Sequence, residues 1–255
     1  MITLQNFKFG LNFILSPPVC IVCNQFIELK VKNENNEKFD KYGYYDDNLC
    51  KSCYLNIPMI FDYDEIKIDI SQNKSKDLGY IDDYYSLVDS NKNRDYFNLV
   101  YELKYHKRKI IAKTIGQLLV PLVDKIHKIN QYDYLICVPI HNARKRERGF
   151  NQSELICEEL INHVDIKLNF DLVLRSMNNV SQTSLSTTER MINIKNAFST
   201  NEKNKNSINQ IEVKNIKKVL LLDDVLTTGF TVNSIAKKVK NLGIEKVDVV
   251  TFIRS

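Results

Sequence analysis

The segment Leu220-Leu221-Leu222-Asp223-Asp224-Val225-Leu226-Thr227-Thr228-Gly229-Phe230-Thr231 constrains the fold of this chain more than any other. Its aliphatic start, Lys218 to Leu222, is of the kind that parallel sheets bury on both faces. Beyond the Thr-Thr-Gly turn, Val232, Ile235, Ala236, Val239 and Leu242 recur as the inner stripe of a helix that Gly243 closes, and Lys246 to Ile253 reads as a further strand. Strand, turn, helix and strand in that order specify an α/β sheet whose ligands bind at the carboxyl ends of its strands. Main-chain amides and hydroxyls at the helix start suit a phosphate, aided by the helix dipole. Two adjacent carboxylates beside that cradle suit either the paired hydroxyls of a ribose or Mg(II) bridging ligand oxygens. The segment is no Walker loop, because no Lys-Ser/Thr pair follows its last Gly.

Upstream the alternation continues. Tyr134 to Pro139 is a short apolar run that ends in a basic loop, His141 to Arg148, and a helix-like stretch with Leu155, Ile156, Leu160 and Val164 follows. Phe97, Val100 and Tyr101, then Ile111, Ile115, Leu118, Leu119, Leu122, Ile126 and Ile129, predict two amphipathic helices, the second bent or broken near Pro121. Asn201 to Gln210 carries almost no apolar residue and is expected to be a flexible loop or insertion. Three regions result: a cysteine-bearing region over 1–58, an acidic, Tyr-rich connector over 59–95, and an α/β domain over 96–255.

Four of the six cysteines form two identical pairs, Cys20-x-x-Cys23 and Cys50-x-x-Cys53. A two-residue gap lets both sulfurs of a knuckle converge on one cation, and four thiolates complete a closed tetrahedral Zn(II) site. Such a site has no open position, so its expected role is structural. The competing reading is a set of free or redox thiols. Cys137 lies in an apolar run and Cys157 on a helix-like stretch, so both read as small core residues.

With 44% hydrophobic and 26% charged residues over 255 positions, collagen-like, mucin-like and wholly disordered readings are excluded. Residues 1–98 carry 11 Lys or Arg against 15 Asp or Glu, a net of −4, whereas residues 99–255 carry 25 against 16, a net of +9. A basic second half suits a phosphorylated ligand or a nucleic acid, although charge alone favours a solvated Lys-rich surface. No apolar run has the length to span a bilayer and the N-terminus lacks the parts of a secretory signal, so a cytoplasmic protein without a membrane span is expected.

The aliphatic strand, Asp-Asp and Thr-Thr-Gly together resemble the phosphoribosyl pyrophosphate signature of type I phosphoribosyltransferases. Further segments are similar to the ComF family of competence-related proteins, over roughly residues 18–57 and 84–255. They are Leu103-Lys104-Tyr105-His106, Val138-Pro139-Ile140-His141 with Arg144, Arg148-Gly149-Phe150-Asn151-Gln152, and the run Gln182, Leu185, Arg190, Asn193, Ala197-Phe198. The double CxxC completes the pattern. The resemblance implies a parallel-sheet type I phosphoribosyltransferase fold with a small N-terminal zinc-knuckle domain.

In this sequence the resemblance implies that Asp223 and Asp224 contact the ribose hydroxyls, while Thr227, Thr228 and Gly229 hold the 5′-phosphate and Thr231 opens the helix. Arg144 and Arg148 would neutralise the diphosphate, Arg190 would reach it from a mobile loop, and Lys104 is a weaker ligand contact; Arg144 and Arg190 are the residues expected to act in catalysis. Phe230 departs from the small residue usual in the loop. Mg(II) would accompany phosphoribosyl pyrophosphate. The implied function is binding of that compound or a related sugar phosphate, linked to DNA uptake, with pentosyl transfer to an acceptor that the residues do not name. The alternative is a non-catalytic accessory factor that binds a nucleotide or single-stranded DNA, working with a DNA-uptake helicase.

Overall fold

The structure is a computed structural model and describes residues 18–27, 48–57, 79–175, 197–200 and 215–255. In chain order the elements are α1 (Lys51–Leu55), β1 (Tyr84–Asp89), α2 (Phe97–Tyr105), α3 (Ile110–Asn130), β2 (Tyr134–Cys137), α4 (Asn142–Arg148), α5 (Gln152–Leu160), β3 (Lys167–Leu168), β4 (Val173–Arg175), β5 (Phe198–Thr200), β6 (Lys218–Leu226), α6 (Phe230–Lys240) and β7 (Lys246–Arg254). Five strands form one sheet in the order β1-β7-β6-β2-β3, every pair parallel, while β4 and β5 make a separate antiparallel pair.

The near-continuous aliphatic runs of β6 and β7 are covered on both faces, as the sequence requires. Leu220, Leu222, Val250 and Phe252 pack with Ile111, Ile115 and Leu119 of α3 and Ile156 of α5. Their alternating neighbours Val219, Leu221, Val247 and Val249 pack with Val232, Ile235 and Val239 of α6. From β2 the chain proceeds outward to β3, and from β6 it proceeds the other way to β7, so the strand order reverses between β2 and β6. A cleft opens outside the carboxyl ends of strands at such a reversal.

Two expectations change. The stretch 59–95 was expected to be a connector, yet β1 within it pairs along its length with β7 and is buried throughout. Its pattern is obscured because it buries polar groups with partners: the Asp83 main-chain N–H donates to Asp248 Oδ1 (3.0 Å) and the Tyr84 and Thr251 hydroxyls bond at 2.7 Å. Of the bend or break expected near Pro121, the break does not occur: α3 runs through that proline for 21 residues. An interior proline costs a helix about 3 kcal/mol, which the burial of Ile111, Ile115, Leu118, Leu119, Leu122 and Ile126 outweighs at roughly 1.5 to 3 kcal/mol each. The expected loop at 201–210 lies outside the described residues.

The described residues of the cysteine-bearing segments pack into the core of the α/β domain. Cys20, Ile21, Val22, Ile27, Leu49 and Ile57 join the apolar cluster that holds Leu99, Val100 and Leu103 of α2. Among the described residues no helix is long and apolar enough to cross a membrane.

Candidate functional site

At the reversal, β2 ends at Cys137 opposite Leu222, whereas β6 continues to Leu226, paired among the described residues with β7 alone. The edge of β6 from Asp223 onward is therefore left open on the β2 side. A cleft of about 400 Å³ occupies this place, a volume within the range of small-molecule sites. Its lining includes Lys104, Arg144, Arg148, Asp223, Asp224, Thr227 and Thr231. Residues as far apart in the chain as Lys104 and Thr231 are thus brought to one cleft by the sheet; Thr228 and Gly229 complete the turn between Thr227 and α6. Gly229 sits at φ +74°, a left-handed conformation that disfavours any side chain, and it starts α6. Phe230 is half-buried and does not line the cleft. Arg190 lies outside the described residues.

The two carboxylates have different partners. Asp224 is 3% exposed, and the Lys104 ammonium from α2 lies 3.0 Å from its Oδ1 and 2.8 Å from its Oδ2. Asp223 Oδ1 accepts from the Ser153 hydroxyl at 3.2 Å and from the Asp224 main-chain N–H at 2.9 Å. Burial, then the negative charge of Asp224, push the Asp223 carboxyl up to about 7, with Lys104 working against the shift. A carboxyl balanced near neutrality accepts or donates hydrogen bonds to ligand hydroxyls with little bias.

The basic motif is held by capping. His141 Nδ1 accepts from the Ala143 main-chain N–H to start α4, and Gly149 ends it at φ +86°. Buried Asn151 caps α5 by accepting from the Ser153 N–H (3.1 Å), while its amide donates to the Val138 carbonyl at 3.1 Å. Gly149, Phe150 and Asn151 therefore serve as scaffold, and they aim Arg144, Arg148 and Gln152 into the cleft.

Sequence reasoning missed Arg175, at the end of β4, which lines the cleft together with Phe97, Tyr101 and Tyr105 of α2. Arg175 stacks over the Phe198 ring (5.1 Å), and among the described residues its buried Nε has no hydrogen-bond partner. Burial, then the like charge of Arg144, pull its guanidinium down from the ordinary value. The only signal was a cation closing the short run Leu172-Val173-Leu174. Four cationic side chains and two carboxylates thus line the cleft. Since Lys104 is matched by Asp224, the surplus rests on arginines, whose planar donors suit phosphate oxygens.

A second cluster lies against α2. The sulfurs of Cys20, Cys23, Cys50 and Cys53 all fall within 4.8 Å of one another, with Cys23 and Cys50 at 3.7 Å. Tetrahedral Zn–S bonds of about 2.3 Å place sulfurs about 3.8 Å apart, so the donor set fits a closed metal site. Burial raises the Cys50 and Cys53 thiols. Burial also opposes ionisation of Cys20, but the main-chain groups of Cys50, Cys23 and Val22 outweigh it and lower that thiol. The cluster can hold a metal such as zinc. Cys137 and Cys157 are buried in the core, as expected.

The parallel sheet, the order reversal and the acid, hydroxyl and arginine lining define a protein with a phosphoribosyl transferase fold. Residues 151–255 match the family described as Phosphoribosyl transferase domain. More particularly, the chain is similar to competence protein F of Haemophilus influenzae, 32% identical over 154 residues that cover 59% of this chain and 64% of that protein. DNA utilization protein YhgH of Escherichia coli strain K12 is 31% identical over 156 residues, covering 59% of this chain and 63% of that one. The match spans just under two thirds of each relative. A solved hypoxanthine phosphoribosyltransferase from Staphylococcus aureus is 18% identical and covers 58% of this chain and 65% of its own, at a TM-score of 0.30.

Proposed function

We propose that the chain binds phosphoribosyl pyrophosphate or a related sugar phosphate in the cleft, as part of DNA uptake. The observation that carries this is the convergence of Asp223, Asp224, Thr227 and Thr231 with Arg144, Arg148 and Arg175 on one wall at the strand-order reversal. Asp223 and Asp224 take the ribose hydroxyls. The turn Thr227-Thr228-Gly229 and the start of α6 take the 5′-phosphate, where orphan N–H groups and the helix dipole favour negative charge. The arginines, Arg190 among them, take the diphosphate. Mg(II) bound with that diphosphate would supply further positive charge on the departing group. In a transfer reaction the ring carbon becomes electron-poor as pyrophosphate leaves, and preorganised arginines stabilise the leaving charge while the cleft excludes water. Zinc in the four-cysteine cluster is structural in this reading. The names of the relatives support the tie to DNA uptake.

A second reading, a binding module without turnover, is favoured by the Lys104–Asp224 pair. An ammonium on one of the two carboxylates weakens their stabilisation of positive charge on the sugar. The test is calorimetry with phosphoribosyl pyrophosphate and Mg(II), followed by a pyrophosphate-release assay with pooled nucleobases. Binding with release supports the transferase, and binding without release supports the module. Salt-sensitive binding of single-stranded DNA or a helicase, with no affinity for sugar phosphates, would instead make this an accessory factor of the uptake machinery.

A further inference from the structure

The open edge of β6 begins where one rung of the sheet is split between side chains. β2 and β6 pair in parallel as far as Cys137 opposite Leu222, and the Val138 N–H donates to the Leu222 carbonyl at 2.9 Å. In a parallel ladder the bond that follows runs from the Asp224 N–H to the Val138 carbonyl. Here a side chain takes each half of it. Asn151 Nδ2 donates to the Val138 carbonyl at 3.1 Å, and the Asp224 N–H donates to Asp223 Oδ1 at 2.9 Å. The two replacements are joined through the start of α5: the Ser153 N–H donates to Asn151 Oδ1 at 3.1 Å, and the Ser153 hydroxyl donates to Asp223 Oδ1 at 3.2 Å. Asn151 and Ser153 are both buried, so water does not compete for these bonds. Capping a helix asks only that Asn151 accept from the Ser153 N–H. The amide bond to Val138 and the hydroxyl bond to Asp223 go beyond that need. With two donors on Oδ1, Oδ2 is the oxygen that Asp223 offers to the cleft it lines.

We infer that Ser153 and Asn151 are positioning residues: they hold Asp223 back against its own strand, one oxygen fixed and the other turned to a ligand hydroxyl, and so set how tightly the cleft grips the sugar. The inference rests on the sugar-phosphate reading and adds what orients its acid. Without the Ser153 hydroxyl, Oδ1 keeps one anchor of two and the carboxylate is free to turn. Without the Asn151 amide, the Val138 carbonyl is free to take the Asp224 N–H, which closes the rung and draws that N–H away from Asp223. Arg144 and Arg148 stand on α4, which His141 and Gly149 cap, so the anion-binding side of the cleft does not depend on Ser153.

The experiment compares phosphoribosyl pyrophosphate with inorganic pyrophosphate, both with Mg(II), by calorimetry on the full, metal-loaded chain. Ser153→Ala should weaken phosphoribosyl pyrophosphate about tenfold, the order of one hydrogen bond to a charged group, and leave pyrophosphate within about twofold. Ser153→Thr, which keeps the hydroxyl, should recover the affinity. Asn151→Ser keeps a good helix cap and loses the reach to Val138, so it should weaken phosphoribosyl pyrophosphate as Ser153→Ala does. Equal losses for both ligands in Ser153→Ala, as a general disturbance of the cleft would give, or no loss for either, overturn the positioning role while the sugar site stands. A wild-type chain that binds phosphoribosyl pyrophosphate no more tightly than pyrophosphate removes the sugar contacts themselves, and the positioning role with them.

Discussion

The Tyr96 hydroxyl donates a hydrogen bond to the main-chain carbonyl of Cys53 at 2.6 Å, and Tyr96 is the N-cap residue immediately before α2. Just past the other end of α2, the Arg108 guanidinium donates to Asn48 Oδ1 at 3.0 Å, two residues before Cys50. The cysteine cluster is thus tied to both ends of the helix that carries Lys104, Tyr101 and Tyr105 to the cleft.

This tie predicts that metal loss is felt at the cleft. Chelation, with metal removal confirmed by elemental analysis, should weaken affinity for ribose 5-phosphate severalfold. Tyr96→Phe should lower unfolding stability by about 1 kcal/mol by orphaning the Cys53 carbonyl. Undiminished sugar-phosphate affinity in metal-free protein would show that the cluster and the cleft are independent.

Lys104 is the counter-charge of a carboxylate with almost no access to water. Removing the ammonium alone, in Lys104→Met, strands the Asp224 charge and should cost about 3 to 5 kcal/mol at neutral pH. Replacing both groups, with Lys104→Met and Asp224→Asn together, should recover most of that loss, because no buried charge remains. Denaturant unfolding of the two single variants and the double variant measures the coupling, and strictly additive costs would mean the pair is not coupled in solution.

Two buried acids set the pH dependence of stability. Burial pushes Asp248 up to about 6, against the Tyr132 hydrogen bond and the Lys246 charge, and Asp223 rises to about 7. Between the ordinary carboxylate value and these, the folded chain holds protons that the unfolded chain has released. Stability should therefore fall as pH rises from about 4 towards 7. Asp89 behaves oppositely: despite its burial, Arg254 holds its carboxyl down, so its contribution is present at neutral pH and lost in acid. Urea unfolding across this range should show the decline, and Asp248→Asn should flatten its lower part, a change on the order of 2 kcal/mol.

The contrast between β6 and β1 shows what the sequence makes legible. In β6, five residues of aliphatic and basic character end in charged ones, and both the strand and its ligand-facing end can be read from that switch. In β1, Tyr84-Tyr85-Ser86-Leu87-Val88-Asp89 carries polar groups whose partners come from β7, more than 160 residues away, so its burial has no local signature. The same reason hid Arg175: its place in the cleft comes from how the β4 and β5 pair docks near α6, which no spacing in the chain reveals. Arg144 and Arg148 were legible through the resemblance carried by Val138 to Gln152, although the stretch His141 to Arg148, expected as a basic loop, is the helix α4 that His141 and Gly149 cap.

Gly116 in α3 tests whether helix preference or packing governs the α3–α5 contact. A Cβ there would lie 2.7 Å from Glu159 Cβ, 2.9 Å from its Cγ and 3.3 Å from the Ile156 carbonyl oxygen. Helix propensity alone favours alanine by about 1 kcal/mol. The obstruction, however, is a Cβ fixed to a neighbouring helix, not the far end of a flexible side chain, and overpacking of this kind costs about 1 to 3 kcal/mol. Gly116→Ala should therefore destabilise on balance, and it should also disturb the 3.0 Å hydrogen bond from Gln117 Nε2 to Glu159 Oε1. Gly79→Ala, where nothing lies within 4 Å of the new atom, is the matched control and should be neutral or slightly stabilising. Thermal unfolding of the two variants side by side decides it: a Gly116→Ala protein as stable as the Gly79→Ala protein would mean that α3 and α5 are not held at this distance in solution.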